Sequence, residues 1–435
     1  MKRVRIPIVA AFFRRPLRRH SDTPRPRARW RRIGIFLAIL GPGMITANVD
    51  NDAGGITTYS LAGAHFGLAL LWTIIPMTVA LIVTQEACAR MGIVTGKGLS
   101  DLIREQYGVK TTFRVMAALV ITNLGNTMAE FSGIAASAEI FGVTRYIAVP
   151  LAAALVWVLV VRGTNRIVER IFLVACMVYV AYPISGFLAA PPWREVLIAT
   201  VTPPLRLDRD YLQMTIGLVG TTIAPWMQFY QQAAVVEKGI TPAHVKYERW
   251  DVIVGCTITD VVALFIIVAC ASTLYTHHIR IEDASDAARA LAPLAGRHAA
   301  GLFAFGLLNA SLFAASVLPL STAFVVCEAF GWESGVSQHW SSAPQFFGLY
   351  TALIIFGAGV VMIPHFPFVA VMFLSQVVNG MVLPVVLFFM VGLATRSDLM
   401  GAFVNSRAGT IALWSTAVIM TVLTALSLLS LFGLW

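Results

Sequence analysis

The sequence predicts an all-α polytopic membrane protein made of two inverted repeats of five helices plus an eleventh helix. Three observations predict it. Hydrophobic residues make up 58% of the 435-residue chain and charged residues only 12%, with a mean hydropathy of +0.77, whereas soluble domains carry about 25% charged residues. Apolar runs recur at close to the ~20 residues that cross ~30 Å of hydrocarbon. The first and sixth runs are interrupted by polar, helix-breaking segments, as happens where two inverted repeats enclose a site at the membrane midplane.

The chain begins with a basic arm. Residues 1–33 hold twelve Lys and Arg in a Pro-rich setting, a composition suited to a disordered cytoplasmic segment touching anionic lipid. The apolar window IPIVAAFF at 6–13 is too short to span and runs into further arginines, so no removable signal peptide is expected. The first repeat, 34–190, has spans near 34–62, 68–91, 112–140, 146–161 and 168–190. The second, 211–394, has spans near 211–237, 250–275, 299–326, 347–364 and 368–394, and the eleventh helix is 409–434.

With the amino terminus inside, inner segments hold 25 of the 32 Lys and Arg and outer loops hold 7, the asymmetry that orients membrane proteins. The carboxyl terminus at Trp435 is then outside. The net charge of +10 reads as a topology signal, and no nucleic-acid partner is expected. Five scattered cysteines (Cys88, Cys176, Cys256, Cys270, Cys327) without a CxxC pair suggest neither a disulfide framework nor a thiolate metal site. No HExxH pair or nucleophile motif is present, so an enzyme is not expected.

The functional signal lies in the two breaks. NVDNDAGGITT, residues 48–58, puts Asp50, Asn51, Asp52, Gly54 and Gly55 inside the first span, and GLVGTTIAPWMQFYQQAAVV puts Pro225 in the sixth beside Thr221, Thr222, Gln228, Gln231 and Gln232. Unwound backbone persists at membrane depth only where protein or a wet cavity satisfies it. Free carbonyls with one or two carboxylates suit a hard cation with oxygen ligands. Asp50 and Asp52 are about 200° apart on an intact helix, so they share a site only if 48–58 is unwound; of the two, Asp52 is the stronger candidate.

These segments resemble the NRAMP family of divalent-metal transporters. The resemblance covers nearly all of 38–395 and rests on GPGMITANVDNDAGGITTYSLAGAHFGLALLW, ARMGIVTGKGLSDLIREQYG, LAPLAGRHAAGLFAFGLLNASLFAASVLPLS and LSQVVNGMVLPVVL. It implies a LeuT-type fold working by alternating access in a bacterial inner membrane, with no resident cofactor, the divalent ion being cargo. The family's DPGN motif falls on Asp52, Ala53, Gly54 and Gly55, and its MPH motif on Ala224, Pro225 and Trp226. The metal-binding carboxylate is thus kept, while the Asn amide and the Met thioether are lost. A soft sulfur favours transition metals, whereas Mg2+ dehydrates reluctantly and keeps waters. This pattern resembles the NRAMP-related magnesium transporters, which carry Mg2+ and Mn2+. It implies a site at Asp52, Asp50, Thr221 and Gln376, with small residues at Gly55 and Ala224 leaving room for water.

The family's proton relay is also altered. Its third-helix carboxylate pair falls on Thr127 and Glu130, its sixth-helix histidines on Trp226 and Gln231, and 345–376 contains no charged residue. Uncoupled transport is therefore expected, with Glu130 lining a hydrated path or hydrogen-bonded to a neighbouring helix. Asp260 in span 7 matches no family role, and a structural bond across the bundle is expected for it. The alternatives are a proton-coupled Mn2+ or Fe2+ transporter and, further off, an amino-acid or Na+-coupled transporter of the same fold.

Overall fold

The computed structural model describes residues 42–162, 179–204, 206, 208–291, 296–336 and 338–431. The basic arm 1–33, the start of span 1, the first half of span 5 and Trp435 lie outside the described residues. Among those described, the first span is two half-helices, α1 (Pro42–Val49) and α2 (Ala53–Phe66). There follow α3 (Ile74–Thr95), a loop helix α4 (Leu99–Tyr107), α5 (Val109–Ile140), α6 (Arg145–Arg162), α7 (Ala181–Leu188) and the short α8 (Trp193–Val201). The sixth span is again two half-helices, α9 (Arg209–Thr222) and α10 (Pro225–Lys238). The remaining long helices are α11 (Val245–Thr273), α12 (Ala299–Phe330), α13 (Pro344–Val361), α14 (Phe368–Ala394) and α15 (Arg407–Leu431).

Seven of the described helices are long and apolar enough to cross a membrane unaided. The half-helices are too short for that, and α5, though 32 residues long, carries Asn123, Asn126, Thr127 and Glu130 along one side. That side explains its position. α5 packs against α12 and α14 at the centre of the bundle, with α13 behind it. α6 and α15 lie outside and turn Leu151, Leu155, Ile411 and Ile419 outward, as lipid contact requires.

Polar residues at the breaks set the ends of the half-helices. Asp52 N-caps α2 by accepting a hydrogen bond from Gly55 N at 2.6 Å, which satisfies one of the donors a helix start leaves free. Ala224 is extended (φ −63, ψ 140) and Pro225 occupies the first position of α10, where its missing N–H costs nothing. Gly239 ends α10 in the left-handed region at φ 67, the usual helix stop.

The TGKGLSDLIRE motif forms a latch. Gln232 on α10 donates to Lys97 O at 2.8 Å, Lys97 pairs with Glu105 at 2.6 Å, and the Arg104 guanidinium donates to Ala329 O at 3.2 Å. The latch ties α3, α4, α10 and α12 together at one end of the bundle. Burial raises the Asp101 carboxyl pKa above its ordinary value, opposed by Arg104 at 3.3 Å.

Candidate functional site

Between α1 and α2 only Asp50, Asn51 and Asp52 are non-helical. The expectation that 48–58 as a whole is unwound is therefore corrected: Gly54 and Gly55 are helical, and the Asp52 cap restarts the helix at once. Opposite this break, α9 ends at Thr222 and α10 begins at Pro225, leaving Ile223 in a turn and Ala224 extended. The two gaps are brought together where α2 packs on α9, with α5 and α14 on one flank and α11 on the other.

Close approach, not spare volume, is what the glycines provide. A Cβ on Gly55 would stand 2.1 Å from the Asp50 carbonyl oxygen and 3.2 Å from Thr221 Oγ1. One on Gly54 would strike the Gln376 amide at 1.8 Å. Gly55 was expected to open space for ligand water; the structure fills that space with the Asp50 carbonyl and the Thr221 hydroxyl, both oxygens. Thr221, Asp52, Gly55 and Gln376 thus converge, and Ala224 is buried at the facing gap.

Gln376 is held in place by a network. Asn379 Nδ2 donates to Gln376 Oε1 at 2.8 Å and to Asn126 Oδ1 at 2.9 Å, and Asn123 Nδ2 donates to Thr322 Oγ1 at 2.8 Å. These bonds link α5, α12 and α14 through buried amides. The sequence reading missed Asn123, Asn126 and Asn379; two Asn three residues apart on an apolar helix were the available signal.

Asp52 is 5% exposed and Glu130 wholly buried. Glu130 Oε2 accepts from Ala53 N at 3.3 Å, and the two carboxyl groups adjoin. Glu130 therefore belongs to the break itself. The other relay positions do not. Thr127 bonds back to Asn123 O at 2.8 Å and turns its methyl toward Gly357 on α13, away from Asp52. Gln231 accepts from Thr46 at 2.8 Å and donates to Glu248 at 3.0 Å, bridging α1 to α11. Trp226 is buried, and its carbonyl accepts from Ser321 at 3.3 Å. No described histidine is buried in the bundle.

Asp50 also parts company with Asp52. Its Oδ2 lies 3.5 Å from the Tyr59 hydroxyl, and its charge faces Asp260 on α11. The two aspartates of the break thus contact different helices, Asp52 beside Glu130 on α5 and Asp50 beside Tyr59 and Asp260, while each also stands within reach of the other's charge. Asp260 has the Thr78 hydroxyl of α3 beside it, while neither carboxylate oxygen has a partner in full hydrogen-bond geometry among the described residues. A second carboxylate unremarked in the sequence, Asp251, accepts from Gly43 N at 2.8 Å and so caps α1 from α11.

Polar atoms without partners gather at this break: Asp50 Oδ1, both amide atoms of Asn51, Glu130 Oε1 and both Asp260 oxygens. Buried polar groups in folded proteins are otherwise almost always paired, so this concentration marks a place for water or a cation. Toward the loop at 281–287, Thr57, Ser60, Asp283, Phe303, Leu307 and Met372 line a small cavity of about 10 Å³, roughly the space of one water. Among the described residues no three His, Cys, Asp or Glu side chains gather as a metal cluster.

Comparison with known proteins identifies the family and the fold. The family described as natural resistance-associated macrophage protein-like matches residues 43–430. The chain is 26% identical over 434 residues to a divalent metal cation transporter MntH of Acidiphilium cryptum, covering 96% of each chain. It is also 26% identical over 428 residues to the protein of that name from Deinococcus radiodurans, covering 95% of each. Among solved structures, a manganese transporter of Eremococcus coleocola superposes with a TM-score of 0.75 at 20% identity, over 96% of this chain and 90% of that one. MhsT, crystallised with L-phenylalanine, superposes with a TM-score of 0.59 at 15% identity, over 89% of this chain and 98% of that one. These neighbours share the LeuT fold, which is the fold of this chain. The chain therefore belongs to the natural resistance-associated macrophage protein-like (Nramp) family of multi-pass membrane proteins.

Proposed function

We propose that this Nramp-family protein carries divalent cations across the membrane by alternating access, that Mg2+ is its main cargo with Mn2+ accepted, and that transport is not coupled to protons. The observation that carries the reading is the donor set at the facing breaks. Asp52, the Thr221 hydroxyl and the Asp50 carbonyl supply oxygen, the Gln376 amide presents its N–H side beside them with its oxygen bonded to Asn379, and the position matching the family's Met is Ala224. An all-oxygen site with one carboxylate suits a hard ion that keeps part of its water shell.

Lack of coupling is supported by the relay positions. Thr127, Trp226 and Gln231 do not titrate, and Gln231 is fixed between Thr46 and Glu248. Entry is then driven by the ion gradient and by the membrane potential, ~2.3 kcal/mol per charge per 100 mV and twice that for a divalent ion. The excess of Lys and Arg on inner segments supports a bacterial cytoplasmic-membrane location with the amino terminus inside and the carboxyl terminus outside. The second reading, a proton-coupled Mn2+ carrier, is favoured by the manganese transporter among the structural neighbours.

Purified protein in liposomes separates the two. Mg2+ influx is followed together with internal pH, and Mn2+ is run in parallel. Mg2+ entry without metal-dependent acidification is the expected result. Mn2+ entry with acidification and no Mg2+ flux would establish the second reading instead.

A further inference from the structure

Hydrogen accounting on the α11 flank of the break exposes a deficit. Asp50 and Asp260 are each 2% exposed, and α11 is brought against the break beside them: Thr259, the neighbour of Asp260, donates to the Ala47 carbonyl that also accepts from Asp50 N at 3.1 Å. Around them stand Tyr59, Thr222, Thr259 and Thr78, and three of these hydroxyls have spent their hydrogen. Thr222 donates to Leu218 O at 2.9 Å, Thr259 to Ala47 O at 2.8 Å and Thr78, beside Asp260, to Ile74 O at 2.8 Å.

Tyr59 then has to donate to Thr222 Oγ1, 2.9 Å away, and its one hydrogen is at best shared with Asp50 Oδ2 at 3.5 Å. Asp50 Oδ1 receives nothing, and the Asp260 oxygens have beside them only the Thr78 hydroxyl, whose hydrogen lies toward Ile74 O. No Lys or Arg among the described residues pairs with either aspartate. Buried charge is normally paired or bound to metal, and here two carboxylates lack both.

We infer that Asp50 and Asp260 form a second cation position, distinct from the Asp52 position and on the opposite flank of the α1–α2 break, which takes a hard divalent cation with part of its water. Two carboxylates neutralise one divalent ion, and one or two carboxylates plus water is the manner in which Mg2+ is usually held. The carboxyl end of α1 points its negative dipole end at the same place. Tyr59 and Thr222 orient the ion's waters through their oxygens. Ions at the two positions are held by neighbouring residues of one short segment, so an ion leaving Asp52 has a receiving site within the same break.

The inference rests on the reading that this break handles divalent cations, and the test separates the two. Binding of Mn2+ alone, read by its electron paramagnetic resonance signal, is measured on the purified full-length protein in detergent, with Mg2+ as competitor. Asp52→Asn is expected to keep one Mn2+ that Mg2+ displaces. Adding Asp260→Asn, which is isosteric, is expected to weaken that binding at least tenfold, and adding Asp50→Asn to do the same, each in protein that stays monodisperse. Loss of all binding in Asp52→Asn alone would overturn the second position while leaving the Asp52 reading intact. Unchanged binding in both double variants would overturn it as well. Binding lost on Asp260→Asn yet untouched by Asp52→Asn would uphold this position and remove Asp52 from the transport site.

Discussion

A single methyl group on Gly55 tests the geometry of the break most directly. In Gly55→Ala the new Cβ would stand 2.1 Å from the Asp50 carbonyl oxygen, where ordinary contact begins at 3.4 Å. The obstacle is backbone, so segment 50–52 must retreat by about 1.3 Å, and overpacking of this kind costs ~1–3 kcal/mol. Mg2+ tolerates little error about its ~2.0–2.1 Å oxygen distances, and a shift of that size carries both the Asp50 carbonyl and Asp52 out of register. If the cost falls on the loaded state, affinity drops roughly 5- to 150-fold, at ~1.4 kcal/mol per factor of ten. The assay is the initial rate of Mg2+ influx into liposomes against Mg2+ concentration, beside a melting curve of the same preparation. Gly348→Ala on α13, where a Cβ meets nothing within 4 Å, is the control and is expected to transport normally. A Gly55→Ala protein with wild-type half-saturation and melting would refute the filled crook that the structure describes.

Further outcomes follow from the same geometry. Asp52→Ala is expected to abolish saturable Mg2+ uptake in folded protein, and retained uptake would remove Asp52 from the site. Ala224→Met restores a soft donor at the facing gap and is expected to shift the ratio of Mn2+ or Cd2+ to Mg2+ uptake upward by about tenfold, ~1.4 kcal/mol of relative preference; an unchanged ratio would show that position 224 does not select the ion. Thr127→Asp is expected to leave proton influx absent, because that side chain faces α13, and acidification during metal uptake by this variant would contradict the placement. Asp251→Ala removes the cap on Gly43 N and is expected to lower stability by ~1 kcal/mol, read as a lower melting temperature with half-saturation for Mg2+ unchanged. Unaltered melting would show that the cap is idle.

How much of this was legible in the sequence depended on whether a signal was local. Asp52, Gly55 and Pro225 announced the two breaks because charge and helix breakers are conspicuous in apolar sequence, and the matching positions of the breaks in the two repeats pointed to the fold. The extent of unwinding was not legible. It turned on the Asp52 side chain capping its own helix at Gly55 N, a three-dimensional choice that restored helix over residues expected to lack it. Gly55 read as empty space because a sequence shows the missing side chain but not the carbonyl that takes its place. Thr127 and Gln231 matched motif positions, yet what they touch is set by helices far along the chain, and Asp260 stood out only as a charge in an apolar run until its surroundings showed it to be without hydrogens.

The cap that Asp251 places on Gly43 has a consequence for how the protein is made. The donor and acceptor are 208 residues apart, and the other ties of α1, Thr46 to Gln231 and Ala47 to Thr259, reach equally far ahead. At ~5–20 residues per second of synthesis, α1 waits about 10–40 s with its amino end unsatisfied before α11 emerges from the ribosome. During that interval the first repeat is in the bilayer without the partner that finishes it, so a chain stalled before residue 251 leaves an open helix end for quality-control proteases to recognise.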